Sequence, residues 1–408
     1  MKYWRGYLTA AILGFFSWAL MEFAKTHSAL IDVVYPYVTR MAQTVLAEWS
    51  SGVAFCLWQF LAITLVVGIL TTIVLMIVLR WNPIQLVGWY AAAASLLLLL
   101  HTAIFGLNGY AGSISDDIRL NMTDYTLTEL EDATAYYRDK ANELAWQIDR
   151  NADNSPAYPD FDELALMAED GFHSLVYDHS YSIFAGSTLP VKQLGWADMY
   201  TSMGITGFTM ALTGEAAVNP QIPVVSLPFT MCHEMAHRMC IATESDANMA
   251  AFLACEANPS MEYQYSAYFM AYRYCYNAIA RQGTAESQEA TLRLRGGMND
   301  YLLADWTQYD SFFAQKKDET ATKVADTVND TYIKAQGDDR GLASYGAVCD
   351  MLVSWHIQTV VLPTQAEEET LFDPFDETQV DLSGMVNGPD PVPTEPVVDE
   401  NDNADDAQ

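Results

Sequence analysis

Two long apolar runs near the start of the chain constrain its fold more than any other feature. Residues 53–79 (VAFCLWQFLAITLVVGILTTIVLMIVL) and 87–107 (VGWYAAAASLLLLLHTAIFGL) contain no Asp, Glu, Lys or Arg. Each exceeds the roughly 18 residues at which an apolar run indicates a membrane span. A shorter run at residues 8–24 contains Glu22, and we interpret it as a retained helix because no small-residue cleavage site follows it. The sequence predicts a three-span transmembrane anchor over residues 1–107.

The charge is distributed unevenly along the 408 residues, whose net charge is −32. Residues 1–107 have a net charge of +2, residues 365–408 have 14 acids and no base, and residues 108–364 therefore carry −20. So acidic a body argues against nucleic-acid binding, which needs a basic surface for phosphates. The last segment is acidic and proline-containing, and we predict a disordered tail there. The middle segment is long enough for a globular domain.

Basic residues near the ends of the spans predict the orientation in the membrane. Lys2, Arg5 and Arg80 lie on one side, and Lys25 and Arg40 lie on the other. This distribution favours a cytoplasmic N-terminus, a multi-pass topology and an extracytoplasmic body.

The segment at residues 27–50 joins the first two spans and contains Pro36. Its mixed periodicity is typical of an amphipathic element that lies in the membrane interface. We therefore expect this segment to contact the lipid bilayer.

Residues 108–364 have a mostly helical pattern. Thr128 and Glu131 make a capping box that opens a helix ending near Arg150. Two further helices are predicted at residues 260–281 and 343–360, and strand character is confined to 207–226. The fold class is therefore mainly α, with three transmembrane helices followed by a mostly helical domain.

One motif in this domain carries recognisable chemistry. His233, Glu234 and His237 form the pattern H-E-x-x-H. On a helix, residues four apart lie on one face, so both imidazoles can reach one metal ion. The carboxylate beside the first histidine is placed to take a proton from a water molecule. We predict a Zn²⁺ site with Glu234 as the general base.

A catalytic zinc ion needs a third protein ligand and an open position. Glu244 follows His237 by seven residues and can open a second helix that packs beside the first. Asp246 is the alternative third ligand. Asn248 lies one turn beyond Glu244, where it can hydrogen-bond the outer nitrogen of a liganding histidine.

H-E-x-x-H followed by E-x-x-A-N resembles the signature of gluzincin-type metallopeptidases in a short-spaced form. More closely, the chain resembles a bacterial family of multi-span membrane proteins of unknown function with a metallopeptidase core. The resemblance extends from the first span to about residue 360. Where that family tends to have an acid pair and Phe, this chain has Ser245, Asp246 and Met249. The stretches that carry the resemblance are 207–219, 227–248, 265–279, 328–336 and 341–352.

The resemblance implies zinc, a zincin-like α+β domain with a small sheet, and a location in the bacterial cell membrane. It also implies an edge strand before the motif helix that pairs with the substrate backbone. Glu215 then either binds a substrate amine or forms a structural ion pair. Tyr345 either reaches the oxyanion or packs between helices. We interpret His173 and His356 as ordinary polar contacts.

Five of the six cysteines lie outside the membrane in this topology, and the odd number leaves at least one of them free. They are Cys232, Cys240, Cys255, Cys275 and Cys349. Their pairing cannot be assigned from the spacing.

We therefore expect a membrane-anchored zinc metallopeptidase that hydrolyses a peptide or protein substrate. The alternative is a catalytically silent zinc-fold sensor or scaffold that binds a peptide or a cell-wall fragment. An intact Glu234 favours the enzyme, because a retired protease has no need of its base. An intramembrane protease is disfavoured, because residues 226–250 contain Glu234, Arg238, Glu244 and Asp246 and no span-length apolar run surrounds them.

Overall fold

The computed structural model describes residues 4–335 and 337–364, without the side chains of Leu342, Ser344 and Tyr345. The predicted tail at residues 365–408 lies outside this description. Residues 1–360 form one compact unit, and the fold is mainly helical with one small sheet.

The first four helices are α1 (Arg5–Thr26), α2 (Ser28–Ser51), α3 (Leu57–Leu79) and α4 (Pro83–Ile104). Of these, α1, α3 and α4 are long and apolar enough to cross a membrane, as the three apolar runs predict. Helices α1 and α4 pack closely, and the Ser17 and Thr102 hydroxyls hydrogen-bond at 2.9 Å. Helix α3 stands apart from this pair, although the hydroxyls of Thr72 and Tyr90 contact each other.

Helix α2 forms from the segment predicted as an interfacial element, and it runs continuously through Pro36. One face packs on the domain, where Arg40 donates to the Met239 carbonyl at 3.2 Å and Gln43 to the Ala211 carbonyl at 2.9 Å. The opposite face exposes apolar side chains. They are Val34, Val38, Met41, Val45 and Trp49.

The remaining helices build the domain. They are α5 (Ile114–Asp117), α6 (Leu127–Gln147), α7 (Phe161–Tyr177), α8 (Ala197–Ser202), α9 (Leu227–Arg238), α10 (Glu244–Glu256), α11 (Met261–Gln282), α12 (Ala285–Gly296), α13 (Asp300–Lys316), α14 (Glu319–Ala335) and α15 (Val348–His356). The helix predicted at residues 260–281 is confirmed by α11. Its tyrosines Tyr263, Tyr265 and Tyr272 are fully buried, as expected of a packed helix face.

The structure corrects the predicted start and end of α6 and the helix predicted at residues 343–360. The capping box of α6 consists of Thr126 and Glu129 rather than Thr128 and Glu131, because Thr126 is the last residue with extended backbone angles. The helix ends at Gln147, since Ile148 is extended. The predicted helix at residues 343–360 is divided into a 3₁₀ turn at Gly341–Gly346, the α-helix α15 and a π-turn at Ile357–Val361.

The sheet has three strands, β1 (Lys192–Gln193), β2 (Gly207–Met210) and β3 (Glu215–Val218), in the order β1-β3-β2. Strand β3 is parallel to β1 and antiparallel to β2. Within the predicted strand region 207–226, the strands occupy only Gly207–Met210 and Glu215–Val218; the chain then turns at residues 220–221, and a 3₁₀ turn at Val224–Ser226 leads into α9. Among the described residues, no strand pairs with the outer edge of β2.

Candidate metal centre

Helix α9 carries the two motif histidines and ends in a tight turn. Pro228 occupies its first turn, where the missing amide hydrogen costs nothing. Cys240 has a left-handed φ of 71°, and the Ile241 amide donates back to the Ala236 carbonyl at 3.1 Å. This Schellman-type ending reverses the chain. Thr243 then caps α10 by accepting a hydrogen bond from the Asp246 amide.

The reversal brings Glu244, the first residue of α10, against both histidines. Its Oε2 lies 3.2 Å from Nε2 of His233 and 3.5 Å from Nε2 of His237. The two Nε2 atoms are 3.1 Å apart. Tetrahedral ligands held about 2.0–2.1 Å from zinc lie about 3.3 Å from one another. The three ligand atoms therefore have the mutual spacing that one zinc ion requires.

The hydrogen bonds of this cluster also fit a cation. Nδ1 of His237 lies 2.8 Å from the Ile241 carbonyl, which can only accept, so Nδ1 carries the proton and Nε2 presents a lone pair. Among the described residues, Oε2 of Glu244 and Nδ1 of His233 are buried without a hydrogen-bond partner. The lone pair on Nε2 of His237 and those on Oε2 of Glu244, 3.5 Å apart, repel unless a positive charge lies between them. Two imidazoles and a carboxylate are an established zinc donor set.

The pKa values of His237 and Glu244 also indicate a site for a positive charge. Burial lowers the pKa of His237, but the Glu244 carboxylate more than offsets this and raises it to about 9. Burial opposes ionisation of Glu244, yet the two histidines hold its pKa well below the usual range. The raised pKa of His237 and the lowered pKa of Glu244 both indicate that this position stabilises a positive charge.

Glu234 lies next to this cluster and is only 4% exposed. Its Oε2 accepts a hydrogen bond from Thr209 Oγ1 at 2.7 Å. Burial raises the pKa of its carboxyl, although the two histidines and Thr209 oppose the shift. Gly207 passes so close that an added Cβ would collide with the carboxylate. Strand β2 therefore forms one wall around the predicted general base.

Asp246 and Asn248 make contacts of their own. Asp246 accepts a hydrogen bond from the Ser113 hydroxyl at 3.0 Å and lies outside the three-residue cluster. Asn248 Oδ1 accepts a hydrogen bond from the Tyr274 hydroxyl at 3.1 Å. The Ile241 carbonyl, rather than Asn248, occupies the outer nitrogen of His237.

The other predicted candidates lie away from the cluster or outside the description. Glu215 is buried in an ion pair with Lys192 at 2.8 Å, which supports its structural interpretation. His356 packs on the ring of Tyr136, with ring centroids 4.9 Å apart, and His173 contacts the ring of Tyr177. The side chain of Tyr345 lies outside the described residues.

All six cysteines are buried free thiols. Cys232 and Cys255 are close enough to interact, and so are Cys275 and Cys349. Cys232 is thus a core thiol, as its position off the histidine face indicates.

Three residues near the cluster were not found from the sequence. Gly207 and Thr209 lie on β2, more than 20 residues before Glu234, and no local pattern connects them with the motif. Tyr332 lies on α14, where partial burial of the ring and the nearby Glu244 carboxylate raise its pKa. An alternating Gly-x-Thr before an H-E-x-x-H helix is a weak signal that could have indicated the first two.

A family model described as "Protein of unknown function (DUF3810)" matches residues 31–353. The chain belongs to the DUF3810 family. No curated protein and no solved structure matches it.

The DUF3810 match begins within α2 and ends within α15. It therefore includes α3, α4, the sheet and the whole metal cluster, while α1 precedes it. The family description carries no activity.

Proposed function

We propose that this protein is a membrane-anchored zinc metallopeptidase. The observation that carries the proposal is the cluster itself, in which three ligand atoms of His233, His237 and Glu244 lie 3.1–3.5 Å from one another beside the buried Glu234. The cluster is partly accessible, since both histidine side chains are 12% exposed. A ligand of the metal can therefore come from outside the protein, as a catalytic site requires.

Each residue of the site has a role in peptide hydrolysis. A zinc ion held by His233, His237 and Glu244 would supply a Lewis acid for the scissile carbonyl and the attacking water. Glu234 orients that water by accepting one of its protons, and it later passes the proton to the leaving amine. Its raised pKa suits this exchange, because a more basic carboxylate accepts a proton from water more readily and can still release it to an amine.

Strand β2 supplies a place for the substrate backbone. The Asn219 amide donates to the Thr206 carbonyl at 2.8 Å, so Thr206 faces β3. Alternation along an antiparallel pair then turns the amide groups of Gly207 and Thr209 towards the open edge. A substrate strand added there would run beside Glu234, with main-chain hydrogen bonds providing affinity.

The membrane topology completes the proposal. Lys2, Arg5 and Arg80 favour the cytoplasmic side for the N-terminus and for the turn between α3 and α4. Trp58 lies in the first turn of α3 and Trp81 just beyond its end, as is typical of the two membrane interfaces. The body then lies outside the cytoplasm of a bacterial cell. The motif helix α9 is not one of the three apolar helices, which argues against cleavage within the bilayer.

The test is a comparison of cellular protein termini. Bacterial cells would produce the wild type, Glu234→Gln, or Glu289→Gln, an exposed control on α12. New amino termini would be identified by mass spectrometry, and the zinc content of each purified protein measured. We expect a set of termini that disappears only in Glu234→Gln, while that variant retains zinc. Identical termini in all three strains would support the silent sensor instead.

A further inference from the structure

We propose that the substrates are membrane-anchored polypeptides, cut just outside the bilayer between the outer ends of α3 and α4. This inference rests on the proposed peptidase function and specifies its substrate class. It follows from the position of the metal cluster, which is connected to the start of one apolar helix and to the end of another.

The first connection joins the sheet to the start of α3. The Glu215 carboxylate accepts hydrogen bonds from the amides of Leu57 and Trp58 at 2.7 and 2.9 Å. Gln59 exchanges hydrogen bonds with the main chain of Gly195 at 3.0 and 3.2 Å. The outer end of α3 is therefore fixed to β3 and to the chain that follows β1.

The substrate-binding edge lies close to this junction. The rings of Trp58 and Phe208 are in contact, with centroids 5.2 Å apart. Phe208 is 40% exposed on β2 and directly precedes Thr209, which bonds to Glu234. The first turn of α3 is thus linked to Thr209, which holds the general base, through the ring contact of Trp58 with Phe208.

The second connection joins the cluster to the end of α4. Helix α14 packs against the turn at Gly341–Gly346, and that turn packs on α10. Just before the turn, Arg340 donates to the hydroxyl of Ser245, the neighbour of Glu244, at 3.1 Å. The ring of Tyr332 on α14 contacts the ring of His101, at the end of α4, with centroids 5.9 Å apart. The metal cluster is thus bracketed by the outer ends of two helices that can cross the membrane.

Helices α3 and α4 do not pack closely on each other, and we call the space between their outer ends the gap. They are joined by the short turn at residues 80–82, but only α4 packs on α1, while no residue in the most apolar window of α3 is buried. A span of 23 residues is about 34 Å long and just exceeds the hydrocarbon core of about 30 Å. In the proposed topology, Trp58 therefore lies at the membrane interface on the extracytoplasmic side.

The surface around the gap is apolar as well. Val324, Val328 and Tyr332 are exposed and spaced four residues apart on α14, so they share one face. Tyr332 on this face contacts His101, so the face adjoins the outer end of an apolar helix. We call these three residues the α14 stripe. Such an apolar rim gives no advantage to the binding of a soluble substrate, whereas a polypeptide that leaves the bilayer beside it would contact it.

The reach of an extended chain sets the expected cleavage position. A strand advances about 3.3 Å per residue, so about ten residues span 33 Å. A substrate that leaves the membrane beside α3 and pairs with β2 would present its bond to Glu234 within that length, because Trp58 contacts Phe208 and the next residue, Thr209, contacts Glu234. We therefore expect cuts within about ten residues of the end of a membrane span.

The positions of the Glu234-dependent termini test this inference. Termini clustered within about ten residues of a span, in membrane proteins, are expected. Termini in soluble proteins, or spread evenly along extracytoplasmic domains, would overturn the inference and leave the peptidase function intact. The absence of any Glu234-dependent terminus would overturn both.

A reconstituted assay provides a second test. Thirty residues around a mapped cleavage site, here called the reporter sequence, would be presented either attached to a membrane span or as a free peptide. The full-length protein and the attached form would share vesicles of phosphatidylethanolamine and phosphatidylglycerol. We expect kcat/KM to be at least tenfold higher for the attached form. Equal values would contradict the inference.

A surface substitution adds a matched comparison in the same vesicles. Val328→Asp places a charge on the α14 stripe, and Leu292→Asp places one on the exposed face of α12. We expect Val328→Asp to lower hydrolysis of the attached reporter at least fivefold relative to Leu292→Asp. Equal hydrolysis by the two variants would show that the α14 stripe takes no part in substrate entry.

Discussion

The hydroxyl of Thr209 lies 2.7 Å from the carboxylate of Glu234 and 2.9 Å from the main-chain carbonyl of the same residue. This contact joins the edge strand β2 to helix α9 at the residue that we propose as general base. A substrate strand placed on β2 is thereby held at a fixed distance from the base. In the proposed reaction, this pair of residues would link substrate binding to proton transfer.

Replacing Thr209 tests this relationship. Thr209→Val keeps the β-branched shape but removes the hydrogen bond, which is worth about 1.5–3 kcal/mol when the acceptor is charged. We expect kcat for the reporter sequence to fall about 10- to 100-fold with zinc content unchanged. Thr209→Ser, which keeps the hydroxyl, should retain most of the activity. Wild-type kcat in Thr209→Val would show that the contact does not position the base.

Gly207 tests the close approach of the strand. A Cβ at this position collides with the Glu234 carboxylate, so Gly207→Ala must displace one of the two. We expect a fall in kcat of at least tenfold, with zinc still bound. Gly296→Ala is the control, because a Cβ there meets no atom within 4 Å. If Gly207→Ala is as active as Gly296→Ala, the close approach of β2 to the Glu234 carboxylate is not needed for activity.

Glu215 should govern stability rather than metal binding. Removing its charge by Glu215→Gln leaves Lys192 without its buried partner and weakens the cap of α3. Breaking a buried ion pair costs about 3 kcal/mol, so we expect a clearly lower Tm in detergent with unchanged zinc content. Glu131→Gln breaks the exposed pair with Arg293 and should cost less than about 1 kcal/mol. A Glu215→Gln protein as stable as Glu131→Gln would contradict the structural role.

His356 predicts a loss of stability in mild acid. Burial against Tyr136 and Tyr137 lowers its pKa, although Asp132 opposes the shift. In the unfolded chain histidine protonates near its ordinary pKa of about 6.5, so below that pH the unfolded state binds more protons and the free energy of unfolding falls. We expect Tm to decrease between pH 7.5 and pH 5.5, and the decrease to be smaller in His356→Phe. An identical decrease in both proteins would assign the effect to other groups.

The parts of the fold that were predictable depend on local patterns. The apolar runs and the spacing of His233, His237 and Glu244 are readable because each needs only a few neighbouring residues. The capping box was misplaced by two residues, since Thr126 and Thr128 both precede a glutamate at the required spacing. Backbone angles decide between them, and the sequence does not contain those.

The remainder of the site depends on long-range contacts. Thr209 meets Glu234 only because β2 pairs with β3, and Glu215 meets Leu57 only because the sheet folds back onto α3. Neither contact leaves a periodic trace in the sequence. The Ile241 carbonyl at His237 likewise depends on the left-handed angle of Cys240, which a cysteine rarely adopts.

Metal content tests the central claim most directly. Zinc would be measured by elemental analysis of detergent-solubilised wild type, His237→Ala, Glu244→Ala and Asp246→Asn after expression with ample zinc. We predict about one zinc ion per chain in the wild type and in Asp246→Asn, and loss of zinc in the other two. A wild-type protein without zinc would contradict the account. Zinc retained in Glu244→Ala but lost in Asp246→Asn would move the third ligand and contradict the assigned geometry.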